Sequence, residues 1–452
     1  NRDLRKKIKL SYASRCFLNS NFNNEENVLK ISKLRYQRAQ LLGYATHADF
    51  VLEESMAKKP SKVLSFLNEL LDKAMPYAKK EVEMIESFAK ELDNIEKLES
   101  WDVDYYSEKL RSKLFNLNDE ILRPYFKLDN VILGAFHVAK KLFGLSFNEV
   151  ENIDIYHNDV RTFEVINESN EFIAIFYIDF FPREGKQGGA WMTSFKSQKI
   201  VNDKNIRPHI SNVCNFTKPT NSKPSLLTFN EVTTLFHEFG HGLHGMLANT
   251  VYGSLSGTSV YRDFVELPSQ IMENWCYERE CLEIFAKHYE TGENIPIEYI
   301  NKIIESSTFL QGVHTVRQLY LGFLDMSWHS LDPTSIESVK KHETKSVQKT
   351  QILPDNKEIC TSVSFGHLFS DPYGYSSGYY SYKWSEVLDA DAFESFKENG
   401  IFNKKIGESL MKNILSTGGT ENPMDLYIRF KGKEPSIEPL LKRSGLIEKV
   451  IL

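Results

Sequence analysis

The sequence predicts a mainly α-helical chain with one small antiparallel β-sheet, and three observations carry that prediction. Up to about residue 150, apolar residues recur at helical spacing. Between 151 and 227 the pattern changes to alternation. A helix follows at 229–247, and from 264 onward helices dominate, interrupted by a Gly/Tyr/Ser-rich loop at 364–382.

The elements follow in order. Pro60-Ser61 opens a long helix with Val63, Leu64, Phe66, Leu67, Leu70 and Leu71 at core spacing and Lys and Glu on its solvated faces. Arg161-Thr162-Phe163-Glu164-Val165-Ile166 alternates, Asn167 to Asn170 supplies a turn, and Phe172 to Ile178 completes a hairpin. A Gly-rich turn (Gly185, Gly188, Gly189) leads into Ala190-Trp191-Met192, and His209 to Phe216 forms a further strand. This sheet, within 153–216, serves either as scaffold or as an edge on which an extended peptide pairs. Thr228 and Glu231 fit a capping box for a helix over 229–247. Another helix is expected over 264–285, and helices continue to the C-terminus. No repeat, low-complexity tract or heptad array interrupts them.

His237-Glu238-Phe239-Gly240-His241 is the most informative stretch. At about 100° per residue, Val232, Leu235, Phe236, Phe239, Leu243 and Leu247 form one apolar stripe. His237, Glu238, His241 and His244 occupy the opposite face. Histidines four apart offer two imidazoles to one metal ion, and the Glu between them can take a proton from a water the metal has acidified. With 12 His and 61 Asp+Glu in 452 residues, chance gives the pattern about 0.04 times per chain. The plainer reading is a helix with surface histidines that bind nothing. Three histidines and Glu238 sharing the face opposite the core argue against it. His241 and His244 also share a face, but only the 237/241 pair brackets a Glu, so His244 is read as a neighbour of the site.

Hydrolytic zinc takes three protein ligands and keeps one position open. Beyond the motif helix, Glu266, Glu273, Glu278 and Glu280 could supply the third ligand, and spacing alone does not choose among them. Asp263 stands where it could cap the next helix or orient Glu266.

Composition excludes other classes. The net charge of −6, without a basic run, gives no nucleic-acid footprint. The five cysteines (16, 214, 276, 281, 360) are odd in number and widely spaced, which reads as reduced thiols and not as a disulfide framework or zinc ribbon. The longest apolar run, Phe172 to Phe181, is too short to span a bilayer and contains Asp179, so no membrane insertion is expected. No signal peptide is visible, and a cytoplasmic location is favoured over a periplasmic one.

Several stretches together resemble the thimet oligopeptidase, neurolysin and oligopeptidase A family of zinc metallopeptidases. They are His237 to Gly245, Ser254-Leu255-Ser256-Gly257-Thr258, Asp263 to Gln270, Gly188-Gly189-Ala190-Trp191-Met192, and Gly418 to Leu426. The resemblance covers nearly the whole chain and is greatest to bacterial peptidyl-dipeptidases (dipeptidyl carboxypeptidases). It implies a neurolysin-like zincin with its active site in a deep channel, residues 1–150 forming part of the channel wall and 151–452 the catalytic region. It implies one Zn2+ per chain, held by His237, His241 and Glu266, the last 25 residues beyond His241 (266 − 241). Short peptides are the implied substrates.

The family also uses a loop carrying a His and several Tyr. Phe365-Gly366-His367 and Tyr375 to Trp384 resemble it, which places His367, Tyr379 and Tyr382 at the reacting carbonyl with Tyr375 nearby. A phenol there would stabilise the oxyanion, and glycines would let the loop close. Arg262, just before Asp-Phe-Val-Glu, points toward release of C-terminal dipeptides. Internal cleavage is the alternative within the family, and a fragment that only binds peptide or zinc is the alternative outside it. Two departures stand out. Residues 368–374 are longer than the family's double-glycine stretch, and Asp371-Pro372 should stiffen them. A further N-terminal helical segment usual in the family is missing, so a partner segment of the same protein is expected.

Overall fold

The structure, a computed structural model, describes residues 1–18, 21–372 and 374–447. Its helices and strands gather into two compact units. One comprises Asn1–Asn116, Ser307–Trp384 and the described residues from Leu441; the other comprises Leu117–Ser306 and Ser385–Leu440. These units cut the chain differently from the division expected near residue 150. Periodicity shows which face of a helix is buried, but not which distant helix covers it.

In the first unit the helix Pro60–Asp93 runs for 34 residues with Pro60 in its first turn. Val63, Phe66, Leu67, Leu70 and Leu71 are buried, while Leu64 is half-buried. This helix packs along Gln311–His329, a pairing invisible to local pattern. The carboxylate of Glu81 accepts the N–H groups of Gly312 and Val313 at 3.1 and 2.7 Å, capping the start of that second helix. Val82, Ile85, Phe88, Tyr106 and Leu110 continue the core.

The second unit is built on a five-stranded sheet: β1 (Ser146–Glu149), β2 (Arg161–Ile166), β3 (Phe172–Asp179), β4 (Trp191–Lys196) and β7 (His209–Val213), in spatial order β1-β2-β3-β7-β4. Strands β5 (Lys199–Val201) and β6 (Lys204–Ile206) form a separate hairpin. The expected β2–β3 hairpin is present, with Phe163 opposite Phe176. One pairing departs from the expected antiparallel sheet: β7 runs parallel to β3, because the chain crosses over through β4 to β6 before returning. β4 consequently lies at an edge. The loop entering it is anchored by Lys186. Its buried Nζ donates to the Asp179 carboxylate at 2.9 Å and to the carbonyls of Phe181 and Cys214 at 2.8 and 2.6 Å.

The motif helix spans Phe229–Met246, and both halves of its capping box form. All six residues of the expected apolar stripe are buried. The expected helix over 264–285 is instead divided into Arg262–Val265, Leu267–Glu273, a 3-10 turn Asn274–Tyr277 and Arg279–Phe285. Pro268 accounts for the first break, since it has no N–H to donate and favours a first helical turn.

Candidate active site

The motif helix and the segment Leu267–Glu273 cross where Gly240 meets Pro268. A Cβ on Gly240 would overlap the Pro268 carbonyl oxygen, so only glycine permits this approach. The crossing brings Glu266, at the N-terminal end of the second segment, to the histidines. Glu266 Oε2 lies 3.3 Å from His237 Nε2 and 3.1 Å from His241 Nε2. These three side chains form a group able to hold a metal ion.

The second carboxylate supplied by that segment is Glu273. Its Oε1 lies 2.7 Å from His237 Nδ1. A carboxylate there holds a proton on Nδ1, so the proton a metal would displace is the one Nε2 shares with Glu266. Ser269 Oγ donates to Glu266 Oε2 at 2.9 Å and fixes that carboxylate as well. Burial pushes the His237 pKa down, but hydrogen bonds to Glu266 and Glu273 outweigh it and hold the group well above its ordinary value. Burial likewise opposes ionisation of Glu266, yet the two imidazoles hold it well below the usual carboxylate range.

Glu238 is buried, and burial raises its pKa above the ordinary carboxylate value. Its Oε2 has no hydrogen-bond partner among the described residues. A buried acceptor left open beside two imidazoles and a carboxylate is the environment a proton-accepting base requires. Two imidazole nitrogens and one carboxylate oxygen, converging with an orienting carboxylate behind, also fit a divalent ion of the zinc type.

Other expected residues take varied positions. His244 shares the helix but is fully buried, and neither ring nitrogen finds a hydrogen-bond partner among the described residues. Burial pushes its pKa down to about 3, so it is a neutral core histidine. Asp263 is buried in the first turn of Arg262–Val265, whose N-cap is Tyr261, so the expected capping role falls elsewhere. Its backbone carbonyl accepts from Ser385 Oγ at 3.2 Å. Arg262 is exposed.

The loop residues gather within the first unit. The His367 ring lies 5.3 Å from Tyr375 and 5.6 Å from Tyr379, and Tyr382 lies 5.3 Å from both tyrosines. Tyr375 N–H donates to the His367 carbonyl at 2.8 Å and ties these two residues together through the backbone. Tyr373 lies outside the described residues. Burial pushes the Tyr379 phenol up to about 12, so it keeps its proton.

Sequence reasoning missed several supports. In sequence Glu273 reads only as a candidate third ligand, and Ser269, although within the stretch Asp263 to Gln270, carries no mark of its role. The start of the loop is held by Glu343, a buried acid that accepts Thr361 N–H at 2.9 Å and Ser362 N–H at 2.8 Å.

The chain matches Peptidase family M3 over residues 1–446 and belongs to that family. It is 41% identical over 428 residues to Oligopeptidase A of Escherichia coli (strain K12), covering 94% of this chain and 63% of that protein. It is 36% identical over 448 residues to Dipeptidyl carboxypeptidase of the same organism, covering 98% of this chain and 65% of that protein. Identity to the oligopeptidase is thus the higher of the two. The chain therefore spans less than two thirds of the length of these relatives. Among solved structures it resembles PZ peptidase A with inhibitor 2 at a TM-score of 0.56 and 15% identity, over 98% of this chain and 68% of the other, which shows a shared fold. Family and donor set together imply a divalent metal ion. Among the described residues no helix is long and apolar enough to cross a membrane, and all five cysteines are free thiols.

Proposed function

We propose that this chain is the catalytic region of a zinc metallopeptidase that hydrolyses short peptides and releases C-terminal dipeptides. The observation that carries the reading is the convergence of His237, His241 and Glu266 beside a buried, open Glu238. The three ligands would hold one zinc ion, with Glu273 and Ser269 orienting them. Bound zinc supplies a Lewis acid that polarises the scissile carbonyl and acidifies a water. Glu238 takes that water's proton on its carboxylate, helped by its raised pKa, and passes a proton to the leaving amine. Tyr379 or Tyr382 donates a hydrogen bond to the oxyanion, assisted by His367, and Tyr379 is suited by its retained proton. β4, the edge strand of its sheet, packs against the motif helix and would offer main-chain pairing to an extended peptide.

Internal cleavage of short peptides is the second reading, favoured by the higher identity to Oligopeptidase A. Five free thiols fit a reducing compartment, and the cytoplasm is the proposed location. The decisive test is Glu238→Gln. It should retain the metal and lose at least about 100-fold in kcat on short peptides. Near-wild-type turnover by that variant rejects the assignment.

A further inference from the structure

The segment carrying Tyr379 is gripped by a buried carboxylate that lies outside the stretches singled out in the sequence. Asp325, on the helix Gln311–His329, is fully buried. Its Oδ1 accepts the backbone N–H of Ser377 at 2.7 Å, and its Oδ2 accepts that of Tyr379 at 2.9 Å. Oδ1 also lies 2.8 Å from His329 Nδ1. His329 Nε2 in turn lies 3.1 Å from Arg35 Nη1. Arginine can only donate, so His329 accepts at Nε2 and must donate from Nδ1 to Asp325. Arg35 also donates to the Asp371 carbonyl at 3.1 Å, reaching the other end of the same loop.

The grip acts on a backbone that needs it. Ser377 sits at φ 60°, a left-handed conformation that side-chain-bearing residues rarely adopt. Two amides on one carboxylate hold that turn in place, and Tyr379 follows two residues later. Charge-assisted bonds in a buried setting are the stronger kind, so the carboxylate is matched to this task.

We propose that Asp325 is a positioning residue for the peptidase reaction, fixing the backbone at 377–379 so that the Tyr379 phenol is set for the oxyanion. This rests on reading Tyr379 as the oxyanion donor. The test is a double-mutant cycle in the full chain loaded with zinc, using Asp325→Asn, Tyr379→Phe and the combination on a short peptide. Asn keeps the size but turns an NH2 group toward one of the gripped donors. Asp325→Asn should lower kcat by about 10- to 100-fold, the scale of a misplaced catalytic group, with KM and metal content little changed. In the Tyr379→Phe background the same change should cost less than about twofold further. His329→Gln, which leaves the carboxylate in place but weakens its support, should show a smaller loss that also vanishes in that background. It serves if Asp325→Asn does not fold. An equal fold loss in both backgrounds overturns the inference alone. Wild-type kcat for Tyr379→Phe overturns the Tyr379 reading and the inference with it.

Discussion

Removal of the Glu273 carboxylate tests whether the metal centre extends beyond its three ligands. The contact at stake is the 2.7 Å bond between Glu273 Oε1 and His237 Nδ1. Loss of such an orienting carboxylate usually weakens metal affinity about 10- to 100-fold. At about 1.4 kcal/mol per tenfold, that is about 1.4–2.8 kcal/mol of binding free energy. The two ends of the range can be assigned. Glu273→Gln keeps an acceptor for Nδ1–H but loses the charge, and a charge-assisted bond is about twice as strong as a neutral one, so it belongs near tenfold. Glu273→Ala loses acceptor and charge together and belongs near 100-fold. The side chain is about one-third exposed, so the metal-free variants should fold normally. Competition with a chromophoric chelator at fixed pH measures the effect, and turnover per bound metal should change little, since Glu238 is intact. Wild-type affinity for Glu273→Ala refutes the argument.

Other expectations are independent of that one. Because His237 is held protonated by its carboxylate neighbours in the metal-free chain, a metal must displace that proton. Affinity should therefore climb about tenfold per pH unit below the raised pKa, and a flat profile between about pH 6 and 8 rejects this. The metal-free fold should respond oppositely: the raised pKa adds stability that is complete below about 6.5 and is lost as pH rises through the raised value, so its Tm should fall. Gly240→Ala should cost about 1–3 kcal/mol and depress Tm, because the Pro268 carbonyl must move; an unchanged melt contradicts the crossing geometry. A peptide with a free C-terminus should be cleaved and its C-terminal amide spared. Equal cleavage of both favours the internal cut.

The motif helix was legible because everything that defines it is local. Thr228, Glu231 and the apolar stripe lie within one run of chain, and the helix obeys them. The long helix from Pro60 and the β2–β3 hairpin were legible for the same reason. The division into units was not, since it depends on Pro60–Asp93 meeting Gln311–His329 across more than 200 residues. The parallel strand β7 escaped because alternation does not encode direction. His244 shows the limit of a helical wheel: the angle placed it on the polar face, while Gly257 and the side chains of Met192 and Ile210 close in on the helix at Gly245, and His244 is buried. Glu273 and Asp325 were beyond reach for a different reason. Their partners, an imidazole nitrogen and two loop amides, are spaced irregularly in sequence.

The crossing at Gly240 has one more consequence. His241 and Glu266 belong to different helical segments and stand 25 positions apart in sequence (266 − 241). A metal held by both closes a ring in the chain. An ion bound only by the folded state stabilises it by mass action, about 2.7 kcal/mol when the free ion stands at 100 times its Kd. An ion at this site would then be a cross-link as well as a reagent, and stripping it should loosen the packing between the two segments before any peptide is offered.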